Sequence, residues 1–347
     1  MNTPVELLKA LIQTPSFSGK EDKTAGLISE YIKPHVEEVE RIKNNIIVKP
    51  RSADPQKKNI LLNSHHDTVK VVNGWNYDPH GAVQEEEIIY GLGSNDAGAS
   101  LVSLIDTFLH FYALDIPYNL YLVASAEEEN FGSNGLSSVL PTLPDMDFGI
   151  IGEPTGLSIG VAQKGLIVVD GTLHGKAGHA ARNIGINAIY GLKEELAFLE
   201  SDPFKKVSDH LGKTTARMTI VSSGTLHNVI PDSCNYVLDI RVNELYTLQE
   251  TMDILETGLK ADLKPRSLRW HSRGISPAHP IFATAEKLGL KTMGSPTLSD
   301  QVHCNFPTIK IGPGESERSH TADEYIHTHE INNALKTYKE IINTLDL

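Results

Sequence analysis

The sequence predicts an α/β fold in which a helix-covered, largely parallel sheet is interrupted by a smaller ferredoxin-like unit. Three observations carry that prediction. Short apolar runs at 59–63, 119–124 and 147–151 are bounded by polar or turn residues, as expected of strands buried on both faces. Helical patterns such as 99–114 alternate with them. Between 165 and 273 the patterns run strand, helix, strand, strand, helix, strand, which is the ferredoxin-like order.

Taken in chain order, residues 1–13 read as an amphipathic helix, without the basic start and unbroken apolar core of a signal peptide. The strand at 59–63 runs into His65-His66-Asp67, and the one at 119–124 into Glu127-Glu128-Glu129. Helix 99–114 starts after Gly98 and stops before Pro117, while the 147–151 strand leads to Gly152-Glu153-Pro154-Thr155. In the middle, strand-like 165–173, 217–221, 236–242 and 267–273 flank helical 187–200 and 248–263. Boundaries near Lys164 and Gly274 then define one domain from 1–164 with 274–347, and an insertion at 165–273. A last strand at 308–311 precedes Gly312-Pro313-Gly314 and His320, and 331–345 closes the chain as a helix.

A length of 347 residues suits two domains, and a composition 40% hydrophobic and 22% charged excludes wholesale disorder. The formal net charge of -13 argues against a nucleic-acid partner, whose phosphates require a basic face. No run reaches the ~20 apolar residues that cross a bilayer, so no membrane association is expected. Two cysteines, Cys234 and Cys304, cannot build a disulfide framework and suit a reduced, cytoplasmic chain.

In open α/β sheets ligands bind beyond the carboxyl ends of the strands, so the acids and histidines placed there should converge. Asp96, in the turn-rich 91–98 segment before a helix, adds another carboxylate. His65 and Asp67 lie two apart and face one side of a strand, so Asp67 can hold one ring nitrogen while the other binds a metal. His66 points the opposite way and reads as a packing or solvent-facing residue. Adjacent Glu128 and Glu129 project differently, so one can bind a cation while its neighbour handles a proton. Two histidines and three carboxylates without thiolates suit Zn²⁺, and also Co²⁺ or Mn²⁺. A carboxylate shared between two ions fits two-metal chemistry.

These motifs, in this order, resemble the acetylornithine deacetylase and succinyl-diaminopimelate desuccinylase family of metallopeptidases, the M20 family. The segments that carry the resemblance are Ser-His-His-Asp-Thr-Val at 64–69, Gly-Leu-Gly-Ser-Asn-Asp at 91–96 and Ser-Ala-Glu-Glu-Glu at 125–129. Ile-Gly-Glu-Pro-Thr at 151–155, Gly-Pro-Gly at 312–314 and His-Thr-Ala-Asp-Glu at 320–324 complete the set. The resemblance implies a two-zinc hydrolase domain with an inserted dimerisation or lid domain, hence a homodimer. It implies His65, Asp96 and Glu153 as ligands of one zinc, and Asp96, Glu129 and His320 as ligands of the other. Asp67 would orient the first histidine, Glu128 would act as general base, and His179, in Gly-Lys-Ala-Gly-His at 175–179, would stabilise the oxyanion in a partner's site. Asn228 and Arg241 would hold the substrate, an ordinary strand-edge charge being the alternative for Arg241, and 294–300 resembles a substrate loop.

Several positions depart from the family pattern: Ser64 for glycine, Lys70 for proline, Ala97-Gly98 after Asp96, the extra Asn130-Phe131 spacing, and Ala180-Ala181 for serines. None removes a ligand, but together they bear on the substrate. The implied activity is hydrolysis of an N-acyl amino acid amide, with N-acetylornithine, N-acetylcitrulline or N-acetyllysine as the small-molecule substrate. An aminopeptidase or tripeptidase is the second reading, and a non-catalytic zinc-binding protein the third.

Overall fold

Apolar residues that run without interruption must be covered on two sides, and this requirement organises the central sheet. The computed structural model describes residues 1–347 apart from Asn2 and Asn183. The chain divides into two compact units, Met1–Val161 with Ile275–Met293 and Ser299–Leu347, and Ala162–Gly274 with Gly294–Leu298.

The first unit opens with α1 (Pro4–Ile12), α2 (Asp22–Ile32), β1 (Glu40–Ile42), β2 (Asn45–Val48), β3 (Lys58–His65), α3 (Ala99–Phe111), β4 (Tyr118–Ser125) and β5 (Phe148–Ile151). Strand β6 (Ile159–Gln163) leads into the second unit. That unit holds β7 (Gly165–His174), α4 (Leu192–Glu200), β8 (Thr215–Ser223), β9 (Ser233–Val242), α5 (Leu248–Gly258) and β10 (Asp262–Pro265). The chain returns through α6 (Ile281–Leu288), β11 (Thr308–Lys310) and α7 (Thr328–Thr344).

Sheet order in the first unit is β1-β2-β4-β3-β5-β11-β6. Strand β3 runs parallel to both β4 and β5, and β11 runs parallel to β5. Ile60 and Leu62 of β3 pack with Leu8, Ile28, Leu104 and Tyr338 from the helices. Leu61 between them faces the other way, into a second core with Val123, Leu136 and Ile151. Because successive strand side chains alternate faces, this two-sided burial is what the continuous apolar runs record. At the amino end, Thr3 caps α1 by accepting the Glu6 N–H at 3.2 Å.

The second unit is a four-stranded antiparallel sheet in the order β8-β9-β7-β10, with the βαββαβ connectivity of a ferredoxin-like fold. Ile167, Val169, Tyr236, Leu238 and Leu255 form its core. Three elements here differ from the sequence expectation, the first being the helix expected at 187–200, which is a 3-10 turn at Ala188–Gly191 followed by α4 from Leu192. The helix begun at Leu248 stops at Gly258 rather than 263, and the last strand is Asp262–Pro265 rather than 267–273. A Cβ on Gly258 would meet the Phe198 ring, so α5 ends in close contact with α4. Leu259 then turns extended, and Asp262 pairs with Thr172 of β7. Among the described residues no helix is long and apolar enough to cross a membrane.

Candidate metal centre

Strands β4, β3, β5 and β11 are neighbours and parallel, so their carboxyl ends open side by side. His65 ends β3, Glu128 and Glu129 follow β4, Glu153 follows β5, and His320 lies in the loop after β11. Asp96 sits just before α3. Its carboxylate lies between the two histidines, with Oδ1 at 3.2 Å from His65 Nε2 and Oδ2 at 3.6 Å from His320 Nε2. Glu129 Oε2 is 3.0 Å from His320 Nε2, and Glu128 Oε2 is 3.9 Å from His65 Nε2. Ligand atoms lie within 4.8 Å of one another in two groups, His65 with Asp96 and Glu129, and His65 with Glu128 and Glu153.

Asp67 does more here than face His65. The His65 Nδ1 sits 3.0 Å from the Asp67 carbonyl oxygen and 3.5 Å from its carboxylate. The Asp67 carboxylate accepts the backbone N–H groups of Glu128 and Glu129, each at 3.1 Å, and the Ser18 hydroxyl at 2.7 Å. It therefore fixes the loop that presents both glutamates. Glu127 takes a left-handed backbone (φ 54°), and its carboxylate accepts the Asn134 N–H and amide instead. His66 is buried on the reverse side, between the Thr24 hydroxyl and the Asn44 carbonyl, and burial lowers its pKa to about 4.

Crowding of acids in a buried space sets the electrostatics. Burial, helped by the charges of Glu153, Glu129 and Asp300, pushes Glu128 well above the usual carboxylate range against the pull of His65. Glu153 rises to about 8, chiefly through burial, and burial also raises Glu129. Burial disfavours a charged His65, yet Asp67, Asp96 and Glu128 together hold its pKa well above normal. The Glu129 hydrogen bond leads the causes that raise His320 to about 9. This set of two imidazoles and several carboxylates, short of positive charge and free of thiolates, fits borderline or hard divalent cations.

A metal-removal experiment follows from these shifts. Glu153 (about 8, ordinarily 4.5) and His320 (about 9, ordinarily 6.5) bind more protons folded than unfolded at intermediate pH. Their stabilisation is complete below the ordinary pKa values and is lost as pH rises through the raised ones. In chelator, the midpoint of urea unfolding should therefore decline from about pH 5 to pH 9. With divalent cations bound against ionised acids the decline should vanish. A metal-free protein with a flat or rising profile would contradict this electrostatic picture.

Three buried groups near the centre have no role assigned from the sequence, although Asp300 and Glu324 lie inside marked segments. Lys310, in β11, carries a charge that acts on Glu153, Glu128 and Asp96, while burial lowers its pKa. Its signal is a lone lysine between Ile309 and Ile311. Asp300, at the end of the 294–300 loop, is buried and accepts the Ser125 hydroxyl. Glu324 is buried and accepts the N–H groups of Gly93 at 3.1 Å and of Asn95 and Asp96 at 2.9 Å.

The remaining sequence candidates lie in the second unit. His179 is exposed, pairs with Val229 across a short antiparallel ladder, and accepts the Ala181 N–H on Nδ1 at 3.2 Å. Asn228, also exposed, is beside it, its carbonyl accepting the Ala180 N–H at 3.1 Å. Arg241 makes a two-point contact with Asp239 at 2.8 and 2.9 Å, so a substrate carboxylate would have to compete for it.

The chain is 28% identical to an acetylornithine deacetylase of Proteus mirabilis, a match covering 93% of this chain and 92% of that protein. In fold it is similar to a tripeptidase from Staphylococcus aureus (TM-score 0.79, 21% identity, 98% and 97% of the two chains). An M20 family metallo-carboxypeptidase from Sulfolobus solfataricus is equally similar (TM-score 0.79, 16% identity, 99% of each chain). The model of peptidase family M20/M25/M40 matches residues 61–344. That match takes in His65 through His320, and with it the chain belongs to peptidase family M20/M25/M40, as a metallohydrolase.

Proposed function

We propose that this protein removes the acyl group from an N-acyl amino acid, with N-acetylornithine as the leading substrate and N-acetylcitrulline and N-acetyllysine next, in amino-acid biosynthesis. One observation carries the metal part of the reading: a single carboxylate, Asp96, offers one oxygen towards His65 and the other towards His320. We assign His65, Asp96 and Glu153 to one zinc and Asp96, Glu129 and His320 to a second, with Co²⁺ or Mn²⁺ as substitutes. The substrate part leans on the acetylornithine deacetylase of Proteus mirabilis and its near-complete overlap with this chain.

Bound there, a pair of divalent cations would supply Lewis acidity and bring the pKa of a water down to about 7. Glu128 is placed to take a proton from the attacking water as the water oxygen adds to the amide carbonyl carbon. It then delivers the proton to the amine nitrogen as the C–N bond breaks. Asp67 holds the Glu128–Glu129 backbone in place and fixes the His65 tautomer, leaving Nε2 for a cation. In this reading residues 165–273 form a dimerisation and lid domain, and His179 donates to the oxyanion in the partner's site. Exposed Ile220 and Val221 on β8, an edge strand, are in keeping with a homodimer. Asn228 and Arg241 would hold the amino acid, Arg241 by exchanging Asp239 for the α-carboxylate. Buried Cys234 and Cys304, both thiols rather than disulfide halves, suit a cytoplasmic protein.

The test is an activity panel on metal-loaded protein, offering acetyl and succinyl derivatives of ornithine, citrulline, lysine and diaminopimelate beside tripeptides. Chelator-sensitive release of acetate from acetylornithine or its relatives is the expected result. Release of amino acids from tripeptides alone would replace this reading with an aminopeptidase or tripeptidase. Absence of any chelator-sensitive hydrolysis would leave a zinc-binding protein without this chemistry.

A further inference from the structure

We propose that Glu324 is a positioning residue that sets the spacing between Asp96 and His320, and so tunes the affinity of the cation they share. The inference rests on the metal-centre reading above. It begins from a mismatch of rigidity. Asp96 is held in a buried turn, whereas the His320 side chain is about half exposed and its backbone is left-handed (φ 60°). Asp96 and His320 belong to segments remote in sequence, yet Nε2 and Oδ2 lie 3.6 Å apart.

Glu324, four residues after His320, ties the two segments together. Its Oε1 accepts the N–H groups of both Asn95 and Asp96 at 2.9 Å, and its Oε2 accepts the Gly93 N–H at 3.1 Å. Three amides thus converge on one buried carboxylate, one of them the amide of Asp96 itself. Gly93 permits this convergence. Its φ is +76°, and a Cβ there would meet Thr68 Cγ2 at 2.7 Å. The Gly91 N–H also reaches the Glu324 carbonyl at 2.9 Å. On the other side, neighbouring Asp323 accepts the N–H groups of Asn76 at 2.8 Å and Tyr77 at 3.1 Å. Consecutive acids therefore fasten the His320 loop at two places. Asn95 adds a side-chain tie to the Glu315 carbonyl at 3.0 Å, but the tie to the Asp96 amide is the one Glu324 makes.

With three donors meeting two oxygens, the site needs an acceptor at every position. Glu324→Gln keeps the size but turns one acceptor into an NH₂ facing a backbone N–H, which opens the clamp locally. Partners that orient metal ligands are typically worth 10–100-fold in metal affinity.

The experiment is a competition titration of metal-stripped, full-length protein with Zn²⁺ against a chelating dye, for wild type, Glu324→Gln, His320→Ala and the double variant. Wild type should bind two ions, and Glu324→Gln should bind the second about 10–100-fold more weakly while holding the first. In the His320→Ala background Glu324→Gln should add little, because the residue acts through that histidine. A purely structural role would weaken both steps and add in full to His320→Ala. An unchanged second ion in Glu324→Gln, or full additivity, overturns this proposal alone. A wild type that binds fewer than two ions overturns the metal-centre reading and the clamp with it. If Glu324→Gln fails to fold, Glu324→Asp takes its place in the cycle. Aspartate keeps the charge but falls short of the amides, so the same weakening of the second ion is expected, and an unchanged second ion again overturns the proposal.

Discussion

Glu128→Gln should keep its full metal content and lose about 10²–10⁴-fold in turnover, the usual contribution of a general acid–base group. The substitution preserves shape and the backbone N–H bond to Asp67. It removes the ability to take up a proton. Glu128 is the glutamate of the three suited to that task. Glu127 is turned away towards Asn134, and Glu129 faces His320 at 3.0 Å. Glu128 Oε2 stands 3.9 Å from the nearest imidazole nitrogen and is almost wholly buried. Burial, reinforced by the charges of Glu153, Glu129 and Asp300, raises its proton affinity well above that of an ordinary glutamate. A carboxylate so placed accepts a proton from water more readily and still releases it to an amine. Steady-state kcat, measured beside elemental analysis, checks both halves. Turnover near the wild-type value would remove Glu128 as the base, and loss of metal would make it a ligand.

How much of this is legible in the sequence depends on how local the cause is. The strands β3, β4 and β5 are legible because two-sided burial leaves unbroken apolar runs, such as Ile60-Leu61-Leu62, that need no knowledge of their partners. The placement of His65, Glu128, Glu129 and Glu153 at strand ends follows from the same runs. The last strand of the second unit lies elsewhere than its pattern indicates, because 267–273 alternates as convincingly as Asp262–Pro265 does. The deciding fact, the pairing of Asp262–Pro265 with Thr172 to Val169 of β7, is a contact between segments remote in sequence. The divergent directions of Glu127 and Glu128 depend on one left-handed residue in a loop. The role of Glu324 is hidden from the sequence altogether: its partners are backbone amides more than 200 positions earlier, and amides carry no sequence signature. Lys310 is a different case, since a buried lysine between Ile309 and Ile311 demands nearby acids.

Asp96→Asn should be the most damaging single change to metal binding, because it acts on both halves of the centre at once. The wild-type carboxylate divides its oxygens, Oδ1 towards His65 and Oδ2 towards His320. Burial alone would raise its pKa, but the His65 hydrogen bond and the charges of His65 and His320 hold it below the usual value, so it is poised as an anion. Asparagine matches the shape, but one oxygen becomes an NH₂ and the charge is gone. Whichever way the amide turns, one side faces a donor in place of an acceptor. His320→Ala, by contrast, removes a ligand from one side only and should leave the ion near His65 and Glu153 in place. The expected series by elemental analysis is therefore two ions for wild type, about one for His320→Ala and less than one for Asp96→Asn. Affinity should fall by at least about 100-fold in Asp96→Asn, beyond the effect of a residue that merely orients a ligand. Two tightly held ions in Asp96→Asn would mean that the centre does not share a carboxylate, and the two histidines would then belong to independent sites.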